Sequence, residues 1–197
     1  MKTKDQEIVH SIIVEAQKLL QQYGLNKTTM EDIAKAAGKG KSTLYYYFKS
    51  KEEIFDEVVK REMDDFFQGV KSAVDKEDNA LSKLRTYITV KIKTITTKVN
   101  LYHIVKAGLL EPQLFDLYKK YRNRYDKEEA SLISSILTNG IETGAFSLPE
   151  ENDLNVLVEV LVSCVRGIEY DIIARDKFST LSKRADFLVS IVAKGLQ

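Results

Sequence analysis

Lys41, Ser42 and Thr43 head a short segment that closes at Phe48, and Tyr45, Tyr46 and Tyr47 follow them directly. These side chains suit the surface of a nucleic acid. An ammonium donates to guanine O6 and N7, a threonine methyl meets the methyl of thymine, and hydroxyls reach bases or phosphates. At 100° per residue three consecutive tyrosines cannot all face inward, so at least one or two rings are exposed, with hydroxyls placed to donate to phosphate. Leu44 and Phe48, four apart, are the core anchors of the same segment. The surrounding charge agrees. Between Lys27 and Lys51 six lysines (27, 35, 39, 41, 49 and 51) stand against Glu31 and Asp32, a local excess of +4 in a chain of net charge +1. A positive patch on a near-neutral protein is the footprint of a phosphate-binding surface.

Other chemistries find little support. The single cysteine, Cys164, allows no intrachain disulfide and fits a reducing, cytoplasmic compartment; it is expected to pack as a small apolar side chain. With only His10 and His103 beside it, a zinc site is not expected, and no metal or cofactor is called for. The opening residues are polar and no apolar run approaches 18 residues, so neither a signal peptide nor a membrane span is expected. No phosphate-binding loop, dinucleotide fingerprint or nucleophile elbow occurs. Glu111, Glu142, Asp171 and His103 could do acid–base work only if they converged, and nothing in their spacing makes them do so. The reading is of a protein that is not an enzyme.

The elements that position the lysines and tyrosines are helical. The 197 residues hold two prolines and nine scattered glycines, and apolar residues recur three and four apart throughout, which predicts an all-α chain. A first helix over 5–23 carries Ile8, Ile12, Ala16, Leu19 and Tyr23 on one stripe and ends at Gly24. Thr29 with Asp32 caps a second helix that Gly38 stops. A third runs from Lys41 to Phe48, and Ser50 with Glu53 opens a fourth that reaches about Val74. Two short helices separated by Gly38-Lys39-Gly40 follow the helix-turn-helix plan, with Lys41, Ser42 and Thr43 in the first turn of the helix that enters the major groove. The segment 86–99 is rich in β-branched residues and alternates locally, yet Ile88, Ile92, Ile95 and Val99 keep helical spacing; it reads as helix. Further helices are expected over 101–109, 113–143, 153–174 and 181–195.

Thr29-Met30-Glu31-Asp32-Ile33-Ala34-Lys35-Ala36-Ala37-Gly38, followed by Ser42-Thr43-Leu44-Tyr45-Tyr46-Tyr47-Phe48-Lys49-Ser50-Lys51-Glu52-Glu53-Ile54-Phe55, closely resembles the DNA-binding domain of TetR-family (TetR/AcrR type) transcriptional regulators. The resemblance covers about 5–59. Two positions depart from the family pattern: Lys39 replaces an apolar residue and Gly40 replaces a common serine, which bears on base preference rather than on the fold. The resemblance implies that Thr29 caps the second helix and touches a phosphate. It also implies that Lys41, Ser42 and Thr43 face bases, that Tyr45 and Tyr46 meet the groove edge and phosphates, and that Lys51 binds phosphate. Lys39 and Tyr47 complete the candidate DNA-binding set.

It further implies a DNA-binding domain over 1–60 and a ligand-binding, dimerising helical bundle over 61–197. Tyr87, Tyr102, His103, Phe115, Tyr118, Tyr121, Tyr125 and Tyr170 are candidates for lining a pocket suited to an amphipathic or aromatic effector of unknown identity. Leu157, Leu161, Cys164 and Ile168, with Phe187, Leu188, Ile191 and Val192, are candidates for a homodimer interface. The expected function is a ligand-responsive repressor, homodimeric on a palindromic double-stranded operator. The alternative is a protein-interaction module with a vestigial DNA-binding domain, which predicts no sequence-selective DNA binding.

Overall fold

A computed structural model describes residues 4–95, 112–147, 153–175, 177, 181 and 184–196. Among these residues there are eight α-helices and no strand: α1 (Lys4–Lys27), α2 (Met30–Ala36), α3 (Lys41–Tyr47), α4 (Lys51–Val74), α5 (Ala80–Ile95), α6 (Pro112–Glu142), α7 (Asp153–Arg175) and α8 (Ala185–Gly195). The chain forms two compact units, one reaching Asp64 and the other starting at Asp65.

The first unit is built on the apolar stripes read from the sequence. Ile12, Ala16 and Leu20 of α1, Ile33 of α2, Leu44 of α3, and Ile54, Val58 and Val59 of α4 are all fully or almost fully buried. Tyr23, expected on the same stripe, is half exposed. Directly after it Gly24 leaves helical geometry (φ 77°, ψ 167°), a combination essentially reserved for glycine, so the expected helix end is a break within α1, which runs on to Lys27. Gly38 (φ 62°) ends α2 with a paired hydrogen-bond motif, Lys39 N–H to Ala34 carbonyl at 2.9 Å and Gly38 N–H to Lys35 carbonyl at 3.1 Å. The start of α4 differs slightly from the expected capping box. Ser50 Oγ accepts from Glu53 N–H at 3.3 Å, but the Glu53 carboxylate accepts from Lys49 N–H at 2.6 Å, one residue before the position the pattern predicts.

In the second unit α5 packs on α6 and α8, and α6 packs on α7. Leu84, Ile88 and Ile92 of α5, Ile133, Ile136 and Leu137 of α6, Val158 and Val162 of α7, and Val189 and Ala193 of α8 form its core. The β-branched stretch from Thr86 is helical as far as Ile95, because helical spacing lets one face bury. Asn79 starts that helix, its side chain accepting from Ser82 N–H at 2.9 Å. The expected helix over 101–109 lies outside the described residues. Gly140 allows the end of α6 to fold back on itself: a Cβ there would stand 2.0 Å from the Phe146 ring, which is buried.

Candidate nucleic-acid interface

The turn between α2 and α3 is held from both sides. Thr29 caps α2 with a complete capping box: its Oγ1 accepts from Asp32 N–H at 3.2 Å, and the Asp32 carboxylate accepts from Thr29 N–H at 3.0 Å and from the Thr29 hydroxyl at 2.6 Å. Those bonds from the Thr29 hydroxyl and backbone hold the Asp32 carboxyl below its ordinary pKa of 3.8. The buried Thr28 hydroxyl donates to Gly24 carbonyl at 2.8 Å and fixes the approach to the cap. Gly40 is the N-cap of α3 and offers no side-chain bond, so the first N–H groups of α3 keep open donor capacity.

Leu44 and Phe48 anchor α3 in the core, at 0% and 5% exposure. The opposite face is what the buried pair leaves free. Lys41, Ser42, Tyr45 and Tyr46 are exposed, Tyr46 most of all at 79%, and Thr43 and Lys39 are half-buried beside them. Tyr46 and Tyr47 meet edge to face at 4.9 Å.

Three side chains have partners that the sequence did not disclose. The Tyr47 hydroxyl donates to the Asp5 carboxylate of α1 at 2.6 Å; that bond pushes its pKa up to about 12. The Lys51 ammonium donates to Leu25 carbonyl at 2.9 Å and Thr28 carbonyl at 3.2 Å, tying the start of α4 to the α1–α2 connection. Lys41 pairs with Glu31 of α2 at 2.5 Å, and the carboxylate raises the lysine pKa above its ordinary 10.5.

The arrangement therefore presents the first turn of a short helix, with a cation, hydroxyls and an aromatic edge, on a rigid three-helix base. The profile of bacterial regulatory proteins of the tetR family matches residues 12–58, the same segment. Over this segment the chain matches the TetR family. Proteins similar to this chain include the fatty acid metabolism regulator protein of Bacillus subtilis, 29% identical over 133 residues, 68% of each chain. They also include the HTH-type transcriptional repressor KstR2 of Mycobacterium tuberculosis, 29% identical over 135 residues, covering 66% of this chain and 65% of KstR2. A solved structure of the regulator FadR from Bacillus subtilis, in complex with stearoyl-CoA, shares the fold at a TM-score of 0.68 and 21% identity, over 95% of this chain and 99% of that one.

The second unit places the pocket and interface candidates unevenly. Tyr87 and Tyr125 are buried, at 1% and 0% exposure, and Tyr170 is half-buried. Tyr125 stacks on Phe67 of α4 at 4.6 Å. Tyr102 and His103, and the side chains of Phe115, Tyr118 and Tyr121, lie outside the described residues. Around Tyr87 the structure gathers charges that the sequence reading passed over. Lys91 of α5 is almost fully buried between Glu129 of α6, which it contacts directly, and Glu169 of α7 at 3.2 Å; the Tyr87 hydroxyl donates to Glu129. The available signal was Lys91 standing on the buried stripe with Leu84, Ile88 and Ile92, where a lysine needs a partner.

Of the interface candidates, Phe187 (61%) and Ile191 (54%) are exposed, Leu157, Leu161, Ile168, Leu188 and Val192 are half-buried, and Cys164 is exposed rather than packed. Val156 (62%) and Val160 (50%), absent from the candidate set, are the outward face of α7. Val158 and Val162 take the core side, and a helical offset of two residues turns Val156 and Val160 away from it.

Proposed function

We propose that this chain is a ligand-responsive transcriptional repressor that binds a palindromic DNA operator as a homodimer in the cytoplasm. Residues 1–60 bind DNA, and 61–197 bind the effector and the second copy. The observation that carries the reading is the exposed row of Lys41, Ser42, Tyr45 and Tyr46 on a helix whose opposite side, Leu44 and Phe48, is locked in the core. Thr29, Lys39, Thr43 and Tyr47 flank that row. Lys51 works here mainly as a clamp on the α1–α2 connection, which keeps the reading helix in place. The outward apolar faces of α7 and α8 supply the dimer contact, and two-fold symmetry sets the two reading helices about 34–36 Å apart. An effector shifts the equilibrium only by binding the DNA-incompetent state more tightly. The stearoyl-CoA found in the Bacillus subtilis FadR structure makes a long-chain acyl thioester the first effector class to try.

The deciding experiment is recovery of random DNA by the purified protein at about 50 and 200 mM salt. Enrichment of one palindrome that survives the higher salt, with affinity falling about 10³–10⁵-fold for six to ten phosphate contacts, supports the reading. Binding without an enriched sequence removes it.

A further inference from the structure

The Lys41–Glu31 pair is unusual in its place. An exposed ion pair contributes little to stability, and both side chains here are more than half exposed, at 59% and 70%. A carboxylate on a phosphate-binding face also repels the polyanion it must approach. Its presence asks for a use at the bound surface rather than in the fold. Glu31 sits in the first turn of α2 and Lys41 in the first turn of α3, ten residues apart in sequence, so the helix-turn-helix geometry itself brings them to 2.5 Å. The result is a donor paired with an acceptor at the head of the reading helix.

The major-groove edge of a G·C pair is the complement of that display. Guanine offers O6 and N7 as acceptors, and cytosine offers its N4 amino group as donor. An A·T pair offers acceptor, donor, acceptor and then the thymine methyl, so it lacks the two adjacent acceptors that face the ammonium in G·C. Resting on the DNA-binding function proposed above, we propose that Glu31 and Lys41 act as one unit that reads a G·C base pair in each half-site, Lys41 on guanine and Glu31 on cytosine N4. Glu31 is a specificity-determining residue, and it also keeps the Lys41 ammonium from wandering to a phosphate.

The test uses the full-length protein, random-sequence DNA and the isosteric variant Glu31→Gln, with Lys41→Gln and the double variant completing a cycle. Far-UV circular dichroism confirms that each is folded. The wild type enriches a half-site with one fixed G·C pair, and replacing that pair by A·T costs it roughly five- to 150-fold per half-site. Glu31→Gln loses most of that discrimination while binding DNA in general more tightly, with a steeper salt dependence, because the freed lysine adds a phosphate contact. In the Lys41→Gln background the same Glu31 change has a much smaller effect. A fixed G·C pair whose preference survives Glu31→Gln, or an enriched site with no such pair, overturns the proposal and leaves the regulator reading standing. A wild type that enriches no sequence sinks the regulator reading itself. In that case an unchanged salt slope in Glu31→Gln on random DNA also removes the pair's part in holding the lysine.

Discussion

Thr29 both donates to and accepts from Asp32, so its loss removes the whole capping box at once. Thr29→Ala should lower stability by about 1 kcal/mol, read by urea denaturation. Because the folded Asp32 pKa lies below 3.8, its contribution is present above that pH and lost as pH falls through the folded value. The gap between wild type and Thr29→Ala should therefore close in strong acid. Tyr47 runs the other way. Its pKa, raised to about 12 by the Asp5 carboxylate, makes the bond's contribution complete below about pH 10 and lost as pH rises through 12. A tyrosinate absorbance titration should contain a late-titrating ring that disappears in Tyr47→Phe; identical late phases in the two proteins would remove this bond. At this scale residue types were readable and partners were not. Lys51, Lys41 and Tyr47 each find a group 10 to 42 residues away, and pairing over such distances follows only from the folded geometry.

The helices themselves were legible because periodicity and caps are local. Gly24 and Gly38 stand at positive φ where the sequence predicts helix ends, although α1 resumes for one turn after Gly24, and the capping pair Thr29 and Asp32 acts as its spacing predicts. The segment 86–95 gave contradictory signals, since β-branched side chains lower helix propensity, but burial of Ile88 and Ile92 outweighs a few tenths of a kcal/mol per residue. Gly24→Ala isolates backbone conformation, because a Cβ there meets nothing within 4 Å. The expected loss is about 1–3 kcal/mol of stability by denaturant titration, and a neutral result would mean that α1 does not need this break. Leu44→Ala, at a fully buried position, should cost about 2–5 kcal/mol and loosen the reading helix, so DNA affinity falls with stability.

For the whole molecule, the TetR-type motif was legible within 5–59, where motif residues sit in register, and the all-α class from periodicity along the chain. The polar core of the second unit was not, because it joins three helices: Lys91, Glu129 and Glu169 are 38 and 40 residues apart in turn. Val160→Asp and Ile191→Glu test the proposed dimer cleanly. Both side chains are at least half exposed in the single chain, so the changes should alter its own stability by no more than about 0.5 kcal/mol. Sedimentation velocity should show monomers at micromolar concentration and much weaker operator binding; an unchanged dimer would move the interface elsewhere. Cys164 adds a practical consequence. It is the chain's sole thiol, and it is exposed on α7. A maleimide fluorophore or nitroxide would therefore mark every copy at one known point without any engineering, and the rate at which it attaches would reveal how often that side of α7 is uncovered.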